Sequence, residues 1–291
     1  MMSCKTTILL VGLFLFFSFT SRVNAEAGSL SADNISYNVN TKKAQAKGNV
    51  VVKKKNATMW GDTAEGNTET SEFSIKGNVK GDFPENKAKI TADSAKWTKG
   101  LEKDNNVVEA FGKVLLTREP KDKLNADYVR WETEKINYLA RGKVDGVFEN
   151  KIIKAAEAGR TEDKFWGRKV IRYEDTVQKI GFSGEVLDGT ITNNEIQTAV
   201  AVGSVSIDYV DKDGLKSVVT GEKAVYSKAK ATVVVTGKAH MVRSDGKTAD
   251  ADKFILHEDT KNIEAIGNST MIFDAADKNN KETSKMKKSG K

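Results

Sequence analysis

Ala110-Phe111-Gly112-Lys113-Val114-Leu115-Leu116 shows the pattern that decides the fold: a small or apolar residue, a spacer, Gly, a second spacer and an apolar residue. The same pattern recurs along the chain of 291 residues. Its eight glycines are Gly48, Gly77, Gly112, Gly142, Gly184, Gly203, Gly237 and Gly267. Most of the intervals between them are near thirty residues, and a recurrence of that kind is typical of a repeat architecture.

Apolar and polar residues alternate around these glycines. Residues 44–52, for example, read Ala-Gln-Ala-Lys-Gly-Asn-Val-Val-Val, with the glycine on the apolar face. A period of two predicts a β-strand with one buried face. Because glycine weakens a strand, its repeated use on the apolar face indicates bends or a wall that another group approaches closely.

A second pattern precedes most of the glycine strands. Residues 90–97, for example, read Ile-Thr-Ala-Asp-Ser-Ala-Lys-Trp. Apolar and polar residues alternate on both sides of the Ala-Asp pair, which we call the small–acidic pair, but at this pair the alternation shifts by one residue. Such a slip predicts a β-bulge at that pair. The acids of this pattern are Asp33, Asp62, Asp93, Asp127, Glu222 and Asp252. Each repeat is therefore predicted to be a bent strand, a polar turn and a glycine strand, which gives an all-β chain of roughly 14 to 17 strands.

The repeat rhythm is interrupted between Lys151 and Asn194. We therefore predict two β modules, residues 29–150 and residues 151–275. A turn or two of helix could lie between Ala155 and Phe165. Residues 276–291 are rich in lysine and lack periodicity, which predicts a disordered tail.

The N-terminal residues 1–25 differ in composition from the rest. Lys5 precedes the apolar run Ile8 to Phe19, and a small-residue site follows, which predicts a secretory signal peptide cleaved after Ala25 or Ala27. The alternative is a retained anchor, although the run is shorter than the roughly 20 residues that span a bilayer. Cys4 is the only cysteine, so the mature chain would contain no disulfide.

The formal net charge of +7 comes mostly from the predicted signal peptide and the tail, and the remaining residues are nearly balanced. Without a basic stripe, nucleic-acid binding is not predicted. His240 and His257 are the only histidines, and neither has a partner at metal-ligand spacing. The repeated acids are spread along the chain, whereas catalytic groups must converge, so each acid is interpreted as bonding locally. We therefore predict no enzyme, no metal and no cofactor.

Two features of the apolar residues indicate whether the interior is fully packed or has space for a ligand. The repeated Trp60, Trp97, Trp131 and Trp166 are interpreted as packing residues rather than stacking platforms for sugars or bases. The inward faces consist mostly of small residues, so they either pack fully or leave apolar space that could bind acyl chains. The inward-facing candidates for lipid binding are Ala46, Val50, Val52, Ile75, Val79, Ala110, Val114, Leu116, Tyr138, Ala140, Val144, Phe182, Val186, Ala201, Val205, Ile207, Val235 and Met241.

The two patterns together resemble the OstA-like family, which includes LptA, LptC and the N-terminal domain of LptD. The segments Ala32-Asp33-Asn34-Ile35-Ser36-Tyr37 and Ala46-Lys47-Gly48-Asn49-Val50-Val51-Val52 carry the resemblance most closely, and it covers roughly residues 29–273. The resemblance implies an incompletely closed β-jellyroll whose interior holds lipid A acyl chains. It also implies end-to-end joining through edge strands, for which the candidates are Ile263, Ala265, Ile266, Met271 and Phe273.

The resemblance implies a non-enzymatic protein of the periplasm, associated with the inner or the outer membrane, that shields lipopolysaccharide (LPS) between the two. Its expected partners are LPS itself, an inner-membrane LPS export complex, an outer-membrane LPS assembly protein and further copies of the chain. The alternative is a structural β-solenoid or adhesin that binds no lipid. An enzyme of glycan or lipid chemistry would need a convergent site, and the sequence shows none.

Overall fold

The computed structural model describes residues 28–100, 105–177, 180–211 and 214–272. The predicted signal peptide, the predicted tail and the edge candidate Phe273 lie outside the described residues. The described residues form eighteen β-strands and one short 3₁₀ helix, Pro84–Asn86. The strands are β1 (Ser29–Ser31), β2 (Asn34–Asn38), β3 (Lys43–Lys54), β4 (Ala57–Asn67), β5 (Glu72–Phe83), β6 (Ala88–Lys99), β7 (Asn106–Arg118), β8 (Asp122–Glu132), β9 (Asn137–Phe148), β10 (Lys151–Arg160), β11 (Lys164–Asp175), β12 (Ile180–Thr192), β13 (Glu195–Val210), β14 (Lys216–Ser227), β15 (Thr232–Arg243), β16 (Thr248–His257), β17 (Ile263–Ile266) and β18 (Thr270–Ile272).

All strand pairs are antiparallel, and from β2 to β17 each strand pairs with the next one in the chain. At the N-terminal end β1 and β2 both pair with β3, and at the C-terminal end β17 and β18 both pair with β16. The all-β prediction is confirmed. The predicted helix near Ala155 is wrong, because Ile153 and Ala155 continue the strand alternation and are buried in β10.

The glycine strands carry one extra residue at their midpoint. Between β7 and β8, Phe111 pairs with Tyr128 and Val114 with Ala126, so three steps in β7 oppose two steps in β8. Gly112 and Lys113 form this bulge with φ angles of 75° and 47°. The first of these left-handed positions favours glycine, which has no Cβ to clash. The extra residue therefore lies in the glycine strand and not, as predicted, at the small–acidic pair.

The acid of the preceding strand lies directly over the glycine of each bulge. A Cβ atom on Gly112 would be 2.3 Å from a carboxylate oxygen of Asp93, a distance that no real side chain could occupy. Beside other bulges, Asn78 donates a hydrogen bond to Asp62 at 2.8 Å. The glycine–acid contacts are Gly48–Asp33, Gly77–Asp62, Gly112–Asp93, Gly142–Asp127, Gly203–Glu185, Gly237–Glu222 and Gly267–Asp252. The acids thus have local structural partners.

Gly184 does not form a bulge of this kind, which corrects one of the eight predicted copies. It pairs with Val170, and Glu185 beside it lies over Gly203, so Gly184-Glu185 is a small–acidic pair. The alternation of inward and outward side chains shifts by one residue at such a pair. Leu187 therefore points inward and is only 1 % exposed. The predicted inward residue Val186 instead pairs with the exposed Val202 on the outer face.

The preceding repeat, strands β10 and β11, departs furthest from the pattern. Ala156 stands at the position of the acid, between the paired residues Ala155 and Glu157. Arg168 and Lys169 stand at the position of the glycine and its spacer. The extra residue of β11 is Ile171, because Val170 and Arg172 pair with the consecutive residues Ala155 and Lys154. This repeat therefore lacks the glycine–acid contact.

Contacts between opposite ends of the strands show that the sheet is folded over. Lys54 lies at the β3–β4 turn and Trp97 near the β6–β7 turn, yet the Lys54 Nζ donates to the Trp97 carbonyl oxygen at 3.4 Å. The turns at the two ends of the strands form the two margins of the sheet. In a flat sheet these two margins would be roughly 40 Å apart, the length of a twelve-residue strand. Asn86 and Thr133 also join opposite margins, at 2.7 Å. The sheet is bent across the line of bulges and left unclosed at its edges, as the predicted jellyroll requires.

The folded sheet encloses two clusters of buried apolar residues. One contains residues between Ala46 and Val144, and the other contains residues between Ile153 and Leu256. Phe148 and Ala158 pack against both clusters. Trp97 and Trp131 are fully buried in the first cluster, which agrees with their interpretation as packing residues, whereas Trp60 is 38 % exposed and does not fit that interpretation.

Replacing Gly112 by Ala tests the glycine–acid contact. Gly246 provides a matched control, because its φ is also positive, at 85°, but no other group lies within 4 Å of the position that a Cβ would take. We expect G246A to lose about 1 kcal/mol of unfolding free energy through backbone strain alone. G112A should lose about 2–4 kcal/mol, because Asp93 must also be displaced. Urea denaturation measures both, and equal losses would contradict the proposed role of the contact.

The buried Lys54 should give the protein a measurable pH dependence. Desolvation by burial lowers the pKa of Lys54 to about 8, and the charge of Glu72 only partly opposes this shift. Between about pH 8 and pH 10 the unfolded chain then binds more protons than the folded chain, so stability rises with pH by about 1 kcal/mol per unit. K54M should abolish this rise in urea denaturation, whereas K53M, at the exposed neighbouring residue, should retain it. A rise that persists in K54M would show that another group causes it.

Candidate functional site: the apolar interior and its openings

The inward-facing candidates are buried except for two. Val186 lies on the outer face, beside Val202. Tyr138 is only partly buried and packs against the first cluster, and its hydroxyl lies 3.3 Å from Nη1 of Arg118. Where the two margins meet, the clusters are well packed and many side chains are fully buried. Any space for a ligand must therefore lie where the margins separate.

Such a space is a cavity of about 610 Å³ between the two clusters. We call it the junction cavity. Leu116, Tyr138 and Ala140 line it from the first cluster, and Ile153 and Phe165 line it from the second. Its volume lies within the range of roughly 300–1,000 Å³ that is usual for ligand sites. Three of the predicted lipid-binding residues thus border a real cavity.

The position of the junction cavity follows from the irregular repeat. Strands β10 and β11 supply much of its wall, including Ala158 and Phe165, and these are the strands that lack the glycine–acid contact. On the N-terminal side the margins are joined by Asn86 and Thr133, and on the C-terminal side the Tyr209 hydroxyl donates to the carbonyl of His257 at 2.6 Å. The folded sheet is therefore fastened on both sides of the cavity, and at the cavity mouth the Asn194 side-chain amide donates to Glu149 across the two margins at 2.9 Å.

Stacked aromatic rings form the walls of the cavity. The ring centroids of Trp131 and Tyr138 are 6.2 Å apart, and those of Phe165 and Tyr173 are 5.5 Å apart. Burial raises the pKa of the Tyr173 hydroxyl, with a smaller contribution from the charge of Asp175. The walls are thus neutral and largely apolar at physiological pH, which suits a hydrocarbon ligand.

Charged and polar residues surround the mouth of the cavity. The Arg118 Nε donates to Asp122 at 2.9 Å, and the Lys151 Nζ lies 3.7 Å from Asp175. Arg160 donates through Nη2 to the Asn194 side chain at 2.6 Å. These residues follow no periodic pattern in the sequence. In the sequence, only the interruption of the repeat rhythm indicated where these residues would lie, because it marks the strands that carry Lys151 and Arg160.

A second apolar opening lies at the C-terminal edge of the sheet. Strands β17 and β18 pair with β16 on one side, and a cavity of about 290 Å³ lies beside them. Of the edge candidates, Ile263, Ala265 and Met271 line this cavity, and Ile266 is 40 % exposed. At the N-terminal edge every residue of β2 is exposed. Both edges thus present backbone and apolar side chains to a further strand.

The histidines form pairs rather than a ligand set. His240 lies 2.8 Å from Asp250, and the His257 Nε2 lies 3.0 Å from Glu264. Within the described ranges no group of three His, Cys, Asp or Glu side chains is placed to hold a metal ion. No helix among the same residues is long and apolar enough to cross a membrane.

An open antiparallel sheet folded over an apolar interior is the architecture that the resemblance to the OstA-like family implied. The family model described as LptA/(LptD N-terminal domain) LPS transport protein matches residues 89–262. Since this match covers more than half of the chain, the protein belongs to that family, and the predicted family is confirmed.

The solved structures similar to this chain include LptH from Pseudomonas aeruginosa, described as the LptA-homologous periplasmic component of the conserved lipopolysaccharide transport device. The identity is 12 %, the TM-score is 0.31, and the match covers 54 % of this chain and 97 % of LptH. No curated protein matches the sequence.

Proposed function

We propose that this protein is a non-enzymatic LPS carrier of the periplasm that shields lipid A acyl chains inside the folded sheet. The observation that carries the proposal is the junction cavity, an apolar space of about 610 Å³ that opens between the two margins of the sheet. Family membership supports LPS as the cargo.

Hydrophobic burial alone can account for this activity. Each acyl CH₂ group removed from water contributes about 0.8 kcal/mol, so a chain that enters the cavity needs no covalent chemistry to be held. The saccharide and phosphate groups would remain at the charged mouth, in contact with water. The same openness lets the chain leave again when it meets a better-shielded acceptor.

We further propose that residues 29–150 and 151–275 act as two successive shielding modules. Each of the two buried clusters belongs to one of these ranges, and the junction cavity lies where they meet. The open sheet edges would dock onto the inner-membrane LPS export complex, the outer-membrane LPS assembly protein or a further copy of the chain. Exposed edge strands are the usual sites of such pairing.

Mass spectrometry of lipid that co-purifies with the full mature chain tests the cargo. We expect lipid A species to be retained by the folded protein and lost on denaturation. The rival function, a structural solenoid or adhesin without lipid, takes support from the dense packing of the two clusters. Recovery of lipid-free protein from cells that make LPS would favour that rival.

A proline at the C-terminal edge tests assembly separately from cargo binding. Ile266→Pro removes a backbone N–H from the exposed edge strand, and proline is poorly tolerated in paired strands. We expect I266P to prevent end-to-end association in light scattering while lipid retention stays unchanged. Ile266→Ala keeps the N–H and is the matched control, so it should still associate.

Unchanged association of I266P would remove this edge from the assembly. If I266P lost its lipid as well, β17 would belong to the cargo-binding interior instead of to a joining edge.

A further inference from the structure

We propose that Glu149 and Asn194 form a latch across the mouth of the junction cavity, and that this latch must open before an acyl chain can enter the cavity sideways between the two margins. The inference rests on the proposed function, because it concerns the control of entry to the same cavity. Three features support it: the placement of the two residues, the bonds that position them and the contrast with the contacts on either side.

The latch joins two turns on opposite margins of the sheet. Glu149 follows β9 at one margin, and Asn194 lies in the turn between β12 and β13 at the other. The Asn194 Nδ2 donates to the Glu149 Oε1 at 2.9 Å, although the two residues are 45 positions apart in the sequence. Both residues border the junction cavity, together with the apolar side chains of Phe148 and Ile191. A chain that approaches the cavity from this side therefore meets the latch before the apolar walls.

Local bonds fix the position of each latch residue. Asn193 and Asn194 form a two-residue hairpin turn with φ angles of 51° and 66°, a left-handed conformation that asparagine tolerates. The Arg160 Nη2 donates to the Asn194 Oδ1 at 2.6 Å, which leaves the amide nitrogen of Asn194 to face the opposite margin. On that margin the backbone N–H of Glu149 donates to the buried carboxylate of Asp122 at 2.9 Å. The two side chains are thus positioned to bond again after each opening.

The contacts that flank the cavity are of a different kind. Asn86 and Tyr209 donate to backbone carbonyl groups of the opposite margin, and the acceptor Thr133 and the donor Tyr209 are only 6 % and 3 % exposed. Breaking either contact would leave a buried polar group without a partner, which is costly. Glu149 and Asn194 are both exposed, so water replaces their bond at little cost. The sheet can therefore open at the latch while it stays closed on both sides.

A further contact between the margins lies at the same mouth. The Arg118 Nη1 lies 3.3 Å from the Tyr138 hydroxyl, and the Arg118 Nε also donates to Asp122 on its own margin at 2.9 Å. The guanidinium group thus keeps its carboxylate partner when the margins separate. This contact therefore opposes opening less than the flanking contacts do.

Crosslinking across the mouth tests the latch in the full mature chain, which contains no cysteine once the predicted signal peptide is removed. In E149C/N194C a short bis-maleimide would join the two margins covalently. We expect the crosslinked protein to take up fluorescently labelled LPS roughly tenfold more slowly than before crosslinking, because the open state is no longer populated. Stopped-flow fluorescence measures both rates. The comparison is made on one variant, so a folding defect cannot cause the difference.

E195C/K228C is the matched control for the crosslink. Glu195 and Lys228 form an ion pair between neighbouring turns of a single margin, and neither residue borders the junction cavity. The same reagent should therefore leave the rate of LPS uptake unchanged in this variant.

Removing the latch should have the opposite effect on the rate. We expect E149A to take up and release labelled LPS about two- to tenfold faster, the usual effect of losing one hydrogen bond, while the amount bound at equilibrium stays unchanged. E195A removes the same charge beside the same hairpin turn but keeps the contact between the margins, so its rates should equal those of the wild type.

The latch is overturned if crosslinked E149C/N194C takes up LPS as fast as before crosslinking. Cargo would then enter through the edges of the sheet, and the proposed LPS transport would remain. The latch is also overturned if E149A lowers the amount of bound LPS without changing the rates, since the contact would then only stabilise the cavity. If neither the wild type nor any variant took up LPS, the proposed function itself would fail, and the latch with it.

Discussion

The contact between a carboxylate and a backbone glycine is the interaction on which the rest of the structure depends. At each regular repeat an acid such as Asp93 fills the space that a side chain on Gly112 would need, and the glycine accepts a left-handed conformation beside it. The bulge bends the strand, and seven such bulges in register bend the whole sheet along one line. Folding of the sheet, burial of its small apolar residues and meeting of its margins all follow from that bend.

The same dependence explains where the sheet opens. Strands β10 and β11 carry Ala156 and Arg168 at the positions of the acid and the glycine, so the bend there is formed differently, with Ile171 as the extra residue. The margins are fastened on either side, through Asn86 and Tyr209, and the junction cavity lies between these contacts. A local exception to the repeat thereby creates the space to which the proposed function is assigned.

Much of this architecture could be predicted from the sequence, because period-two alternation and the repeated glycine report directly on strands and bends. The errors have identifiable causes. Gly184-Glu185-Val186 fits both the glycine pattern and the small–acidic pattern, so spacing alone could not show which of Val186 and Leu187 faces inward. The position of Arg118 depends on a contact between the two margins, with the Tyr138 hydroxyl at 3.3 Å, and no periodic signal in the sequence encodes such a contact. For the same reason the sequence left open whether the interior is fully packed.

We propose that acyl chains of LPS occupy the interior of the folded sheet at the junction cavity. Leu115 and Leu116 are adjacent in β7 and point to opposite faces, and Leu116 borders the cavity. A photo-crosslinking amino acid at position 116, in cells that make LPS, is predicted to yield an LPS adduct, whereas the same group at position 115 should yield none. Equal adducts at both positions, or none at position 116, would contradict the account.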